Sequence, residues 1–356
     1  MSRKHDLKVV SIEKTTPSSV EISLEKMPDH NFTAGQYISL ELSINGEQVN
    51  RSYSFSSAPY EDTWKIGVKE VPGGKASTFL NNNLIIGDSI SCLEPMGNFV
   101  IPECRSSQTH FLFIAAGSGI TPVYSMIKSL LKNENAGKIT LCYGNKNPEE
   151  TMFIEELKSL SENNSNFNLE LIFSQSGGND AFHSGRINFG KTLELMAVHP
   201  FSGASKHAFI CGPGDMITSV TNALSDNGYS KDEIHTEFFT APTSEESTST
   251  ETSVDDTNSA PYSGTSKIKV TLDDEDHEIT LADGGKVILD AALDAGMDAP
   301  FSCKGGVCTA CRAKVTKGKV EMISNFALTD GELADGYVLT CQSHPKSNVI
   351  ELSYDE

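Results

Sequence analysis

The arrangement of cysteines constrains this chain more than any other feature. Cys92, Cys104, Cys142 and Cys211 are scattered over the first two-thirds, whereas Cys303, Cys308, Cys311 and Cys341 are bunched late with two short spacings. A secreted disulfide framework needs a small, cysteine-dense chain, so the cytoplasm is the expected compartment. The late group reads Cys303-Lys304-Gly305-Gly306-Val307-Cys308-Thr309-Ala310-Cys311, with Cys341 following after 29 residues. A zinc site is usually built from two paired C-x2-C knuckles, or carries His in the second pair. Here a single C-x2-C is preceded by a third Cys at a spacing zinc does not favour.

The spacing C-x4-C-x2-C…C is that of plant-type [2Fe–2S] centres. Two irons bridged by two sulfides need four thiolates, and one tight loop can supply three if it wraps the cluster. Gly305 and Gly306 let the backbone approach and aim N–H groups at the sulfurs. The fourth thiolate comes from a distant strand, Gly336-Tyr337-Val338-Leu339-Thr340-Cys341-Gln342. The surroundings predict an α+β β-grasp domain over 266–356. Residues 267–272 and 277–281 read as a hairpin around an acidic turn, 287–295 as a helix and 349–354 as a closing strand. Thr329 and Glu332 have capping-box spacing for a short helix before the last ligand.

Residues 241–265 carry five acidic residues, no Lys or Arg, and hardly an apolar side chain. Such a segment cannot bury enough surface to offset its chain entropy, so it is expected to be a flexible, extended linker. Before it the texture changes near residue 106. Residues 1–105 hold short alternating runs such as 20–24 and 64–68, split by Gly, Pro and Asn, which predict an antiparallel β-barrel. Residues 106–240 alternate apolar strands (111–116, 139–143, 169–173, 208–211) with helical patterns (123–131, 153–160). That is the βαβ rhythm of an α/β domain with a parallel sheet. The formal charge of −20 argues against nucleic-acid binding. No apolar run reaches the length of a membrane span, and no signal peptide opens the chain.

Two segments of the barrel half suit a flavin. In Arg51-Ser52-Tyr53-Ser54-Phe55, at the end of a predicted strand, the Arg charge can neutralise a pyrophosphate. The Tyr ring can cover an isoalloxazine face, and the Ser54 hydroxyl can reach flavin N5. Gly73-Gly74-Lys75-Ala76-Ser77 before a short helix leaves N-terminal amides free for phosphate oxygens. Each segment also fits a blander role, an exposed strand Arg or an ordinary glycine turn with a Ser cap. Together with Gly35-Gln36-Tyr37, Gly87-Asp88 and Pro95-Met96-Gly97-Asn98-Phe99 they occur in one order on one candidate barrel. In this the sequence resembles the ferredoxin-NADP⁺ reductase superfamily, to about residue 240.

In the α/β half, Gly117-Ser118-Gly119-Ile120-Thr121-Pro122 follows an apolar strand and opens a helix, with Pro122 suited to its first position. The resemblance implies that this turn holds the NAD(P)H pyrophosphate and that Thr121 lies near the nicotinamide. It also implies that Cys211-Gly212-Pro213 is the other nicotinamide-side turn, although Cys211 fits an inert buried thiol equally well. By the same resemblance Glu237-Phe238-Phe239 folds back beside the flavin, and Ser174 lies on a nucleotide-binding loop. Lys146 and Arg186 are candidate partners of a 2′-phosphate. Gln175 stands where relatives often have Arg, so NADPH and NADH both stay open.

Over its full length the chain resembles the reductase subunits of phenylacetyl-CoA 1,2-epoxidases and their close relatives. Phthalate-dioxygenase-type reductases share the module order but take FMN; the full-length resemblance implies FAD. It further implies NAD(P)H as donor and a protein acceptor, the oxygenase component of a phenylacetyl-CoA epoxidase-type system. Ser54, Thr121, Cys211 and Glu237 would stand around hydride transfer, and Cys303, Cys308, Cys311 and Cys341 would hold the cluster. A general reductase for other acceptors, or a redox-responsive regulatory module, are the alternatives. The linker would let the cluster domain swing between flavin and acceptor.

Overall fold

The computed structural model describes residues 4–102, 108–133, 137–201, 203, 205–241, 250–254, 262 and 264–356. The chain divides into two compact units, one built from Lys4–Val49 and Tyr53–Pro242 and one from Asn50–Ser52 and Thr243–Glu356. No helix among the described residues is long and apolar enough to cross a membrane.

The first unit begins with β1 (Lys4–Thr16), β2 (Ser19–Leu24), β3 (Tyr37–Ile44), β4 (Glu47–Ser54), β5 (Trp64–Lys69), helix α1 (Lys75–Asn82) and β6 (Ser89–Leu93). Their order across the sheet is β4-β3-β6-β1-β2-β5. An antiparallel bridge from Phe55 to Ile66 joins the two end strands, so the sheet curls into a barrel. The interior is apolar: Ile22, Leu24, Ile38, Leu40, Ile66 and Val68 are wholly buried. Phe55 stacks on Phe32 at 4.0 Å and meets Trp64 edge-on at 5.3 Å.

The α/β half follows with β7 (Thr109–Ala116), α2 (Ile120–Leu131), β8 (Lys138–Asn145), α3 (Ile154–Asn163), β9 (Phe167–Phe173), α4 (Phe189–Val198), β10 (Ser205–Gly212), α5 (Gly214–Asp226) and β11 (Ile234–Phe238). The sheet order is β11-β10-β7-β8-β9, and its pairs are parallel. Alternation along β7 sends Phe111, Phe113 and Ala115 to the α2/α3 side and Leu112 and Ile114 to the α4/α5 side. Both faces of the central strands are covered, which is why β7 and β8 read as nearly unbroken apolar runs.

Barrel and parallel sheet meet along a close seam. A side chain at Gly67 of β5 would lie 2.6 Å from the Thr121 methyl and 2.9 Å from Met152. At Gly35 (φ +102°) it would lie 1.9 Å from the Phe99 carbonyl oxygen and 2.3 Å from the Met126 methyl. The Ser125 hydroxyl of α2 donates to the Ser57 carbonyl at 2.6 Å, and Lys128 pairs with Glu61.

The second unit contains β12 (Thr250–Val254), β13 (Thr265–Leu272), β14 (Glu275–Ala282), α6 (Ile288–Asp294), β15 (Arg312–Met322), α7 (Asp330–Ala334), β16 (Tyr337–Leu339), β17 (Ser343–Pro345) and β18 (Val349–Ser353). Its sheet runs β12-β15-β18-β13-β14, with β16 and β17 also on β15. The hairpin turns at Asp273 and Asp274, both at positive φ, a two-residue turn matching strand twist. Both Asp273 and Asp274 N–H groups donate to the Asp355 carboxylate at 3.0 Å. The Thr329–Glu332 capping box forms in both directions.

At Thr250–Val254 the structure differs from the expected linker, since this stretch pairs antiparallel with β15 from Thr250–Met322 to Val254–Gly318. Composition measures what side chains can bury; it does not register the unpaired N–H and C=O groups that a sheet edge offers. Thr250, Thr252 and Val254 are β-branched and suit such an edge. Most of the remaining stretch, and Cys104, lie outside the described residues.

Candidate functional site

The sequence-predicted site residues fall into three groups of side chains. The first is the loop between α6 and β15. Lys304 (φ +51°) and Gly306 (φ +72°) turn the backbone, and Gly305 N–H donates to Cys303 Sγ at 3.3 Å. Gly306 is the more constrained of the two glycines: its φ strains any side chain, and a Cβ would lie 3.0 Å from the Ser324 carbonyl and 3.2 Å from Gln342. Gly305 meets nothing closer than 3.8 Å, so of the two predicted glycines it is the less constrained. Cys308 Sγ lies 3.1 Å from Cys303 Sγ. Cys341, on the short turn after β16, reaches Cys303 and Cys311, and Thr340 N–H binds the Cys311 carbonyl at 3.1 Å. Hydrogen bonds from the Cys308 and Cys341 thiols, then from Gly305 and Val307 N–H, hold Cys303 far below the usual thiol range. Four sulfurs from a loop and a distant turn form a donor set suited to sulfide-bridged iron.

The second group lies on the barrel. Ser54 ends β4 and is buried; Tyr53 is half-buried against the barrel core. Arg51 is exposed, its Nη1 donating to the Asn50 carbonyl at 2.7 Å. Phe55 turns its side chain into the barrel core. Its ring is fully buried and its N–H donates to the Gln36 carbonyl at 3.0 Å. Gly73 takes φ +76°, and Gly74 precedes α1 with no side-chain cap. The first-turn amides of Lys75, Ala76 and Ser77 therefore stay open to an anion. The Ser77 hydroxyl is turned back, accepting from Val71 N–H at 3.1 Å, and Lys75 pairs with Glu47 at 2.6 Å. Ala76 packs into the barrel core.

The third group gathers at the C-terminal ends of β7, β10 and β11, where the strand order switches direction. Gly117 needs its positive φ of 56°. Gly119 is required by crowding, because a Cβ would lie 2.2 Å from the Cys211 carbonyl oxygen. Gly212 is held likewise between Met216 and Ala116, and Pro213 precedes α5. Pro122 occupies the third position of α2, not the first; its missing N–H is harmless anywhere in an opening turn. Buried Thr121 donates to the Ser118 carbonyl at 3.1 Å. Ser174, exposed beyond β9, donates its N–H to the Asn145 carbonyl at 2.9 Å; Gln175 N–H does the same to Lys146. Lys146 and Arg186 are exposed.

The second and third groups meet at one carboxylate. β10 and β11 run in register with Cys211 beside Glu237. The Ser54 hydroxyl donates to Glu237 Oε2 at 3.1 Å, and Cys211 Sγ lies 4.0 Å from the same oxygen. Burial pushes the Glu237 carboxyl up to about 8, with the Ser54 hydrogen bond opposing it. Burial, then Glu237, pushes the Cys211 thiol well up, so it is a neutral thiol and not a nucleophile. Phe239, next after β11, is exposed.

Two supporting residues escaped sequence reasoning. Gly67 had a signal, since a glycine inside a strand marks a close approach. Tyr143, whose hydroxyl donates to the Gly117 carbonyl at 2.9 Å, had none.

Comparison with known proteins agrees with this geometry. Residues 6–101 match the oxidoreductase FAD-binding domain family, 113–222 the oxidoreductase NAD-binding domain family, and 270–346 the 2Fe-2S iron-sulfur cluster binding domain family. The chain is 34% identical to one of the subunits of the 1,2-phenylacetyl-CoA epoxidase of Escherichia coli (strain K12), over 100% of this chain and 99% of that protein. It is 34% identical to the 3-ketosteroid-9-alpha-monooxygenase ferredoxin reductase component of Mycolicibacterium smegmatis (strain ATCC 700084 / mc(2)155), over 97% and 93%. The phthalate dioxygenase reductase structure shares the fold, with a TM-score of 0.61 and 23% identity over 98% of each chain. With its FAD-binding barrel, NAD-binding sheet and four-thiol [2Fe–2S] domain, the chain belongs to the family of oxygenase reductase components that includes this phenylacetyl-CoA epoxidase protein.

Proposed function

We propose that this reductase delivers electrons from NAD(P)H to the oxygenase component of a phenylacetyl-CoA epoxidase-type system. The observation that carries the reading is the match to the Escherichia coli epoxidase protein, which runs through all three modules and leaves almost no residue of either chain uncovered. When bound, FAD accepts a hydride from the nicotinamide and the [2Fe–2S] cluster passes electrons on singly.

The chain's residues supply binding, orientation and one held proton. Arg51 neutralises the flavin pyrophosphate, aided by the open amides of Lys75, Ala76 and Ser77, which the Gly73-Gly74 turn presents; the Gly74 N–H itself donates to the Val71 carbonyl at 2.8 Å. Tyr53 and Phe239 flank the ring system. Gly117, Gly119, Thr121 and Pro122, with Gly212 and Pro213 opposite, form the crevice for the nucleotide, and Ser174 lies on its adenosine side. Glu237 stays mostly protonated at neutral pH because ionisation in its buried setting is costly. Coupled to Ser54, it keeps a proton at the hydride-transfer site without placing a negative charge there. Cys303, Cys308, Cys311 and Cys341 hold the cluster. Cys92, Cys142 and Cys211 are buried and form no disulfide among the described residues, which suits a reducing compartment such as the cytoplasm.

A second reading, service to another oxygenase, is favoured by the equal 34% identity to the ketosteroid monooxygenase reductase. To separate them, NADPH and NADH oxidation is followed with the phenylacetyl-CoA epoxidase oxygenase component. Consumption that rises only when oxygenase and phenylacetyl-CoA are both present supports the first reading. Flavin and cluster reduction without such coupling removes it.

A further inference from the structure

We propose that His5, His30 and Glu94, on the barrel surface and apart from the residues assigned above, form a site for one divalent transition-metal ion, zinc by its donor set. β1 and β6 pair antiparallel with His5 opposite Cys92. Glu94, two residues beyond Cys92, therefore lies diagonal to His5 on the same sheet face. His30 comes from the β2–β3 loop, placed by a tight turn in which Asp29 takes φ +61° and His30 N–H donates to the Met27 carbonyl at 3.3 Å.

Three observations point to an ion. His30 Nδ1 lies 2.7 Å from the Pro28 carbonyl; it must donate there, which leaves Nε2 as a lone-pair donor, the usual arrangement of a metal-binding imidazole. His5 Nε2 is shielded from solvent and makes no hydrogen bond among the described residues. Glu94 Oε1 lies 3.4 Å from His30 Nε2 and 3.7 Å from His5 Nε2. These separations exceed those of N–H···O bonds. They approach the edge of about 3.3 Å expected for a tetrahedron with ~2.0 Å metal–ligand bonds. The three ligand atoms all lie within 4.8 Å of one another. Two His and one carboxylate leave a fourth position for water. The ion would staple the N-terminal strand to the β2–β3 loop and to the end of β6.

The test uses tag-free protein carrying flavin and cluster, treated with chelator and then dialysed against zinc. Wild type should take up one zinc per chain, with an absorption-edge spectrum showing nitrogen and oxygen ligands and no sulfur. His30→Gln and Glu94→Gln should each weaken uptake at least about tenfold, while flavin content and NAD(P)H-driven flavin reduction stay at wild-type values. Absence of uptake by wild type, sulfur ligation, or undiminished uptake by both variants overturns the site. Either variant suffices if the other loses its flavin.

Discussion

Replacing Glu237 by Gln gives the sharpest test of the buried carboxyl. Burial moves its folded-state value from 4.5 to about 8, a rise of roughly 3.5, worth about 5 kcal/mol at most. The sign follows from proton counting. Below about pH 4.5 the carboxyl is protonated in both folded and unfolded chains, and the fold bears no penalty. Between about 4.5 and 8 the unfolded chain loses the proton while the folded one keeps it, so stability falls by about 1.4 kcal/mol per pH unit. Above about 8 the whole penalty is present. Gln keeps the shape and can accept the Ser54 hydrogen bond, but it never ionises. Its advantage over wild type should therefore grow by about 2–3 kcal/mol between pH 6 and pH 9, roughly 5–10 °C in Tm for a unit of this size. Thermal unfolding of the flavin-loaded protein, followed by the rise of released flavin fluorescence, reads this directly. Parallel Tm curves for the two proteins across that range would refute a desolvated, protonated Glu237 carboxyl.

Other substitutions test the seam, the nucleotide turn and the cluster loop. Gly67→Ala puts a methyl 2.6 Å from Thr121 and 2.9 Å from Met152; it should cost about 1–3 kcal/mol and slow flavin reduction by NAD(P)H, measured by stopped flow. Tyr143→Phe frees the Gly117 carbonyl; a loss of about 1 kcal/mol should raise KM for the nucleotide more than it lowers kcat. Gly306→Ala forces a side chain into φ +72° against Ser324, and iron per chain should drop while flavin content holds. Thr329→Ala removes one arm of the capping box and should destabilise the cluster unit by about 1 kcal/mol in denaturant titration.

Much of this architecture was legible because single residues there have few physical uses. The C-x4-C-x2-C spacing named the cluster, and the apolar runs that became β7 and β8, each followed by a helical pattern, read as parallel strands covered on both faces. What the sequence hid are contacts between distant segments. Phe55 looked like part of a flavin motif, yet its ring belongs to a core cluster with Phe32 and Trp64. Nothing local to Tyr143 says that its hydroxyl supports a turn on the neighbouring strand. Gly119 was read from its motif, but its reason, the Cys211 carbonyl 2.2 Å from any Cβ, appears only when β7 and β10 are adjacent. The strand at Thr250–Val254 escaped because backbone pairing needs little hydrophobic surface.

The most direct test of the central claim, an electron relay that ends at the four thiols, is Cys341→Ser. Anaerobic mixing with NADPH or NADH is followed at the flavin, and electron delivery is followed at the oxygenase component. The account predicts flavin reduction at the wild-type rate, with delivery lost together with the iron. Wild-type delivery from protein that has lost its cluster would contradict it.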